Sequence, residues 1–331
     1  MGEHKRTKVI LIWALKGLIT FGILGYLFQH IPVSRVIASL SKLEPQYVLA
    51  AIFLQIMLRY ISAFQLKILL SHQKVRLSVI DLAKINFQTQ FYGLLLPGVL
   101  SGGVVKWHKL SKQNKMRAQA AVCIVLSRTM HILSLAILGV GFFLFEMPHH
   151  STQILPVMAL GLVVAVLFYA AIMNTTISGA VEKFLNKLFF CRFPESIRTR
   201  INKLWGAVKS FHEIRFLTAN YTLLLSFLFH LVRTISVYLV MRGLHVDISI
   251  ISVVWITAVV MFVQLLPISI SGLGVREGMF VFLLGKYGIP SSDAMAVSFT
   301  IFGFLVIVAL IGGIFEAHEF LFQKKREEAP D

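Results

Sequence analysis

Charge is scarce in this sequence. Charged residues make up 14% of it against 57% hydrophobic, and mean hydropathy is +0.78. Such a composition cannot cover a soluble domain with polar surface, so the chain reads as a polytopic all-α membrane protein. Cysteine is scarcer still: Cys123 stands in an apolar run and Cys191 in a basic stretch, which excludes a disulfide framework. Acidic residues number 15 against 32 lysines and arginines, a formal net charge of +17. No nucleic-acid-binding motif accompanies that excess, so it points to cytoplasmic loops and anionic lipid, not to RNA or DNA. Short alternating segments are missing, which excludes a β-barrel. There is no G-x-x-x-x-G-K-[ST] loop for ATP hydrolysis, and His149-His150 lacks an H-E-x-x-H context. The first apolar run follows basic residues without a small-residue cleavage site, so it reads as a retained helix and not a signal peptide. No cofactor and no metal is expected.

The sequence does contain an apolar run broken in its middle. Residues 264–278 read Q-L-L-P-I-S-I-S-G-L-G-V-R-E-G between two stretches apolar enough for lipid. Broken backbone at membrane depth survives only where protein or a water-filled cavity satisfies its polar groups. Charge there is expensive, so Arg276 and Glu277 are expected to face a cavity and each other. A short aqueous loop is the plainer alternative. Against it, the break occurs twice: Pro97, Ser101, Gly102, Val105 and Lys106 stand 170 residues before Pro267, Ser271, Gly272, Val275 and Arg276. Paired Gly/Pro-interrupted segments in two halves are the sequence mark of a transporter binding site.

Around the breaks, full spans are expected over 9–28, 47–70, 118–145, 154–173, 217–240 and 294–315, each near the roughly 20 residues a bilayer requires. The expected fold is therefore one domain over 1–331, an inverted-repeat helical bundle. It has about six full spans plus two broken or re-entrant hairpins, with repeats near 47–145 and 217–315. Residues 174–216 form a basic connector in which Ile197, Ile201, Leu204, Trp205, Val208 and Phe211 share one helical face, the pattern of an interfacial amphipathic helix. Lysine and arginine number 21 in segments 1–8, 71–77, 106–117, 174–216 and 318–331. They number 4 in 29–46, 146–153, 241–249 and 285–293. The positive-inside bias then puts both termini in the cytoplasm, of the plasma (bacterial inner) membrane.

The L-x-P-x3-S-G-G-V-V-K break, the span with Ser127-Arg128, and the L-P-I-S-x-S-G-L-G-V-R-E break together resemble the lysylphosphatidylglycerol synthase transmembrane (flippase-like) family, over nearly the whole chain. Members often carry Gly-Glu before an arginine at the first break, where this chain has Gly102-Gly103 and Lys106. The resemblance implies a membrane domain that moves a lipid or lipid-linked headgroup between leaflets. In bifunctional members this domain is fused to an aminoacyl-transferase domain; with the chain read to Asp331, no such domain and no aminoacyl-lipid synthesis is expected.

The residues argue for an anionic lipid independently. Helices restarting near Gly102, Gly103, Ser271, Gly272 and Gly274 offer unpaired N–H groups and partial positive charge. Lys106 and Arg276 add full cations, and arginine suits bidentate phosphate contact. Arg59, Lys84, Arg128 and Arg233 are further cations within spans, and Gln90 and Gln264 complete the candidate set. Only Asp81, Glu277 and Glu316 are acidic in the membrane region, so a phosphate is the missing partner. Arg59 and Lys84 could instead snorkel to headgroups, and Arg276 could serve as structural glue with Glu277. His131 and His230 read as packing residues, with no second ligand at metal spacing. A lipid transporter leads. An integral-membrane transferase using Glu277 or Asp81 as base, or a scaffold for envelope lipid synthesis, stays open, as does a homo-oligomer.

Overall fold

The computed structural model describes residues 3–73, 75–95, 101–114, 117–146, 216–265 and 268–327, with isolated positions between 156 and 183. Pro97, Pro267, Cys191, His149-His150, the amphipathic connector and most of the expected 154–173 span lie outside them. The described residues form helices and turns without a strand. In chain order the helices are α1 (Glu3–His30), α2 (Val33–Leu40), α3 (Pro45–His72), α4 (Val79–Leu95), α5 (Ser101–Asn114), α6 (Arg117–Glu146), α7 (Phe216–Gly243), α8 (Ile250–Leu265), α9 (Val275–Gly285) and α10 (Ser291–Glu327).

Local chemistry sets several of these boundaries. Pro45 stands in the first turn of α3, where a fixed φ and a missing N–H do no harm. Ser78 caps α4: its hydroxyl accepts the Asp81 N–H at 3.0 Å and donates to the Asp81 carboxylate at 2.6 Å, satisfying an orphan donor. Asp293 in the first turn of α10 complements the positive end of that helix and accepts the Ser39 hydroxyl at 2.5 Å, tying α2 to α10.

By length and composition, four helices can cross a membrane: Pro45–His72, Arg117–Glu146, Leu217–Gly243 and Ser291–Leu321. A fifth follows if Leu15–His30 and Val33–Leu40, bent by 87°, count as one span. Large apolar side chains such as Leu18, Phe21, Phe53, Leu224, Leu310 and Ile314 stand exposed on these helices, a surface suited to hydrocarbon and not to water. The break-flanking helices are shorter. α4 has 17 residues, α5 14, α8 16 and α9 11, so the longest reaches only about 25 Å at 1.5 Å per residue.

Helix positions correspond between the halves. α3 and α7, each 28 residues, start at 45 and 216; α4 and α8 start at 79 and 250; both pairs are 171 apart. The packing is crosswise: α4 lies along α10 and α8 along α6, while α3 lies against α7. Hydrocarbon gives helices no hydrophobic reason to associate, so small residues and hydrogen bonds carry the packing. Gln55 Nε2 donates to Ser236 Oγ at 3.1 Å and Gln65 Nε2 to Ser226 Oγ at 2.6 Å. These are two antiparallel rungs ten residues apart on both helices. Gly312 of α10 lies so close to the Phe87 carbonyl of α4 that a Cβ there would collide with it.

Buried apolar residues gather in two main clusters. One surrounds Trp255, with Phe143, Met241, Val259, Phe280 and Leu284; the other joins Leu66, Leu69 and Leu82 to Leu126 and Met130. Beside the first, the Glu146 carboxylate accepts from Ser252 Oγ at 2.6 Å, Trp255 Nε1 at 2.8 Å and the Tyr287 hydroxyl. Burial, and then the Glu146 carboxylate, hold the Tyr287 hydroxyl above its ordinary range, keeping it a donor.

Candidate functional site

The second break is a tight turn. Ser271, Gly272 and Gly274 have φ of 52°, 78° and 80°, a region glycine enters freely and serine only at a cost of about 1–2 kcal/mol. Neighbours hold it. Thr20 Oγ1 of α1 accepts the Ile270 N–H at 3.0 Å, and Glu277 Oε2 accepts the Gly274 N–H at 2.7 Å. The same carboxylate takes the Arg276 guanidinium at 2.5 Å and the Ser298 hydroxyl at 3.0 Å. Arg276 also donates to Ser298 at 2.9 Å and lies 5.1 Å from the centre of the Phe302 ring. Glu277 is 0% and Arg276 3% exposed. Each charge is thus matched by the other and by further hydrogen bonds, the condition under which a buried ion pair is tolerated.

The two breaks meet at one cavity of about 360 Å³. α5 brings Gly102, Gly103 and Lys106; the second break brings Ser269, Ser271 and Gly272; Gln90 comes from α4 and Gln264 from the last turn of α8. The walls come from the middle of long helices: Arg59 of α3, Arg128 and His131 of α6, and Phe229 of α7. Arg59 donates to Gln90 Oε1 at 3.3 Å and its Nε has no partner. Lys106 and Arg128 have neither a carboxylate nor a hydrogen-bond partner among the described residues. Arg128 lies over the start of α5, where a Cβ on Gly103 would come within 2.5 Å of its Nη2. No described lining residue is acidic. Three cations, a glycine-lined helix start and several neutral donors face one another with no acidic side chain between them among the described residues. Such an arrangement has the charge and the donors to hold a phosphate-sized anion.

The family model for the lysylphosphatidylglycerol synthase TM region matches residues 13–313. The chain belongs to that family. Among curated proteins no match was found. Membership of the lysylphosphatidylglycerol synthase TM-region family ties this membrane protein to lipid synthesis or flipping.

Of the candidate residues chosen from sequence, the cavity brings together Arg59, Gln90, Gly102, Gly103, Lys106, Arg128, Gln264, Ser271 and Gly272. Arg233 and Arg276 line a smaller cavity behind it. Three stand elsewhere. Lys84 is exposed on α4, 5.9 Å from the Phe315 ring, because the inner face of that helix is given to Ala83, Asn86 and Phe87. Gly274 meets α1, where a Cβ would touch the Thr20 carbonyl at 3.0 Å and Ile23, so its missing side chain serves packing. Glu277 is consumed by Arg276 and the Gly274 N–H. Both bases of the transferase alternative are therefore off the cavity, since Asp81 sits exposed with the Ser78 cap. Sequence reasoning passed over Ser62 and Thr89, named Ser127 only within the family motif and read His131 as a packing residue, yet all four line the cavity. Only polarity within an apolar span could have flagged them.

Proposed function

We propose that this chain moves an anionic lipid, a phospholipid or a polyprenyl-phosphate-linked lipid, between leaflets by holding its headgroup phosphate where the two breaks meet. One observation carries the reading. Arg59 and Lys106, both half-buried, and Arg128, exposed, line one cavity with no carboxylate among its described lining residues, and gathering like charges without an anion between them is costly. A headgroup phosphate would relieve that cost while its chains stay in hydrocarbon. The break-flanking helices, short of the roughly 30 Å hydrocarbon core, are read as re-entrant hairpins, and the crosswise pairing of the halves as an inverted repeat.

The orientation with cytoplasmic termini draws support from contacts between segments of like charge bias. Ser39 bonds Asp293, Glu44 N–H bonds the Gly243 carbonyl at 3.1 Å, and Glu146 bonds Tyr287, all joining lysine- and arginine-poor segments. Lys109 joins Glu319 at 3.1 Å, linking two rich ones. With Cys123 and Cys191 replaced by alanine, Asp247→Cys is expected to react with an impermeant maleimide on intact cells. Arg76→Cys is expected to react only after permeabilisation; the reverse pattern sinks the orientation.

The transport reading is tested by exchange of a fluorescent phosphatidylglycerol in vesicles. Lys106→Gln and Arg128→Gln are each expected to slow exchange about 10–100-fold, the equivalent of one lost charge-assisted contact, with unchanged melting curves. Wild-type exchange rates in both folded variants would rule the cavity out as the lipid's path. Mass spectrometry of the same vesicles tests the transferase alternative, which requires a covalently altered lipid.

A further inference from the structure

Behind the main cavity lies a second of about 80 Å³, reached past Arg59, Gln90 and Gln264, which line both. Its inner wall holds Arg233, Thr257 and Arg276. Arg276 is matched by Glu277; the other two polar groups are not matched. Arg233 Nε has no partner, its Nη1 has only the Met261 sulfur at 3.8 Å, and its guanidinium lies 5.5 Å from the Phe229 ring. Thr257 is 5% exposed and its Oγ1 is unpartnered, although a helical threonine can bond a carbonyl one turn back. No described residue lining this cavity is acidic. One water needs roughly 10–15 Å³ of such space, so the cavity is large enough for a group the size of phosphate.

We propose that this deeper cavity is a second anion subsite and that the transported headgroup carries two adjacent anionic groups, in the simplest case a diphosphate. The inference rests on the reading that Lys106 and Arg128 hold the first phosphate. Arg59 stands at the seam of the two cavities, so one planar guanidinium reaches both groups, a bridging geometry that lysine could not supply. Arg233 then neutralises the inner group and Thr257 donates its hydroxyl to it. A monophosphate leaves both of these unmatched.

The probes are dodecyl phosphate and dodecyl diphosphate, which share a tail and differ by one phosphate, titrated by calorimetry against the full chain in uncharged detergent. The diphosphate is expected to bind about 30-fold tighter or better, as one further set of charged hydrogen bonds gives. Arg233→Gln is expected to bring that ratio close to one. Thr257→Val, nearly isosteric and a safeguard if the arginine variant fails to fold, lowers it about three- to tenfold. Lys106→Gln weakens both probes. If wild type binds neither probe, or Lys106→Gln weakens neither, the phosphate reading of the main cavity fails and this inference falls with it. If Lys106→Gln weakens both but the wild-type ratio is near one, or neither inner variant changes it, the deeper cavity holds water only and the second subsite is overturned.

Discussion

Arg276→Ala is expected to destabilise the protein by about 3–5 kcal/mol, the range for breaking a buried ion pair by removing one partner. The Glu277 carboxylate, 0% exposed, would keep its bonds from the Gly274 N–H and Ser298 but lose the guanidinium that balances its charge. Arg276→Gln with Glu277→Gln removes both charges, keeping the size of the side chain at 277 and shortening the one at 276. It is expected to recover most of the loss, because two neutral amides cost far less to bury than one unpaired charge. Melting curves in detergent for the single, the double and the wild type decide it. A single variant as stable as wild type would mean that the pair does not hold the break together. The vesicle assay then adds a separate question, since a stable double variant that still exchanges lipid frees Arg276 from any part in headgroup binding.

The second large effect is expected at Gly312. Gly312→Ala would put a Cβ onto the Phe87 carbonyl, within 2.5 Å of its carbon and 3.0 Å of the Gln88 nitrogen. Backbone cannot step aside as the end of a flexible side chain can, so α10 must leave α4. Overpacking of this kind costs typically 1–3 kcal/mol, occasionally more, and the upper end is expected here because Gln88 and Tyr92 of α4 also bond Glu319 and Glu316 of α10. Gly303→Ala, on the same helix with nothing within 4 Å of its Cβ, is the control; it is expected to be neutral or to stabilise by up to about 1 kcal/mol through helix propensity. Equal melting temperatures for the two variants would show that the α4–α10 contact is loose.

Much of the candidate site was legible in the chain. The breaks announced themselves because Pro, Ser and Gly recur 170 residues apart in apolar runs, and the cations within spans could be named before any fold was known. Direction was not legible. Lys84 and Arg59 are both lone cations in apolar helices, yet one is exposed and the other lines both cavities. What separates them is which neighbour each helix turns its face toward, and the polar residues of α3 and α4 are too scattered around each helix to form a stripe from which to read that. Arg276 and Glu277, adjacent in sequence, left open whether the pair met each other or a ligand. Only the approach of Ser298 from α10 and the Gly274 N–H completes a closed set of bonds. The α3–α7 pairing was equally hidden, since Gln55 and Gln65 stand out as polar in a span without naming Ser236 and Ser226 as partners.

That last pairing has a bearing on how the protein is made. The partners of Gln55 and Gln65 lie 181 and 161 residues further along the chain. At synthesis rates of roughly 5–20 residues per second, α3 waits on the order of ten to thirty seconds before α7 leaves the ribosome. Throughout that interval two amides destined for burial between helices lack their native acceptors, in a solvent that offers none. The first half of the protein is therefore an unfinished surface during biogenesis, and the bundle closes only when its two halves have both been inserted.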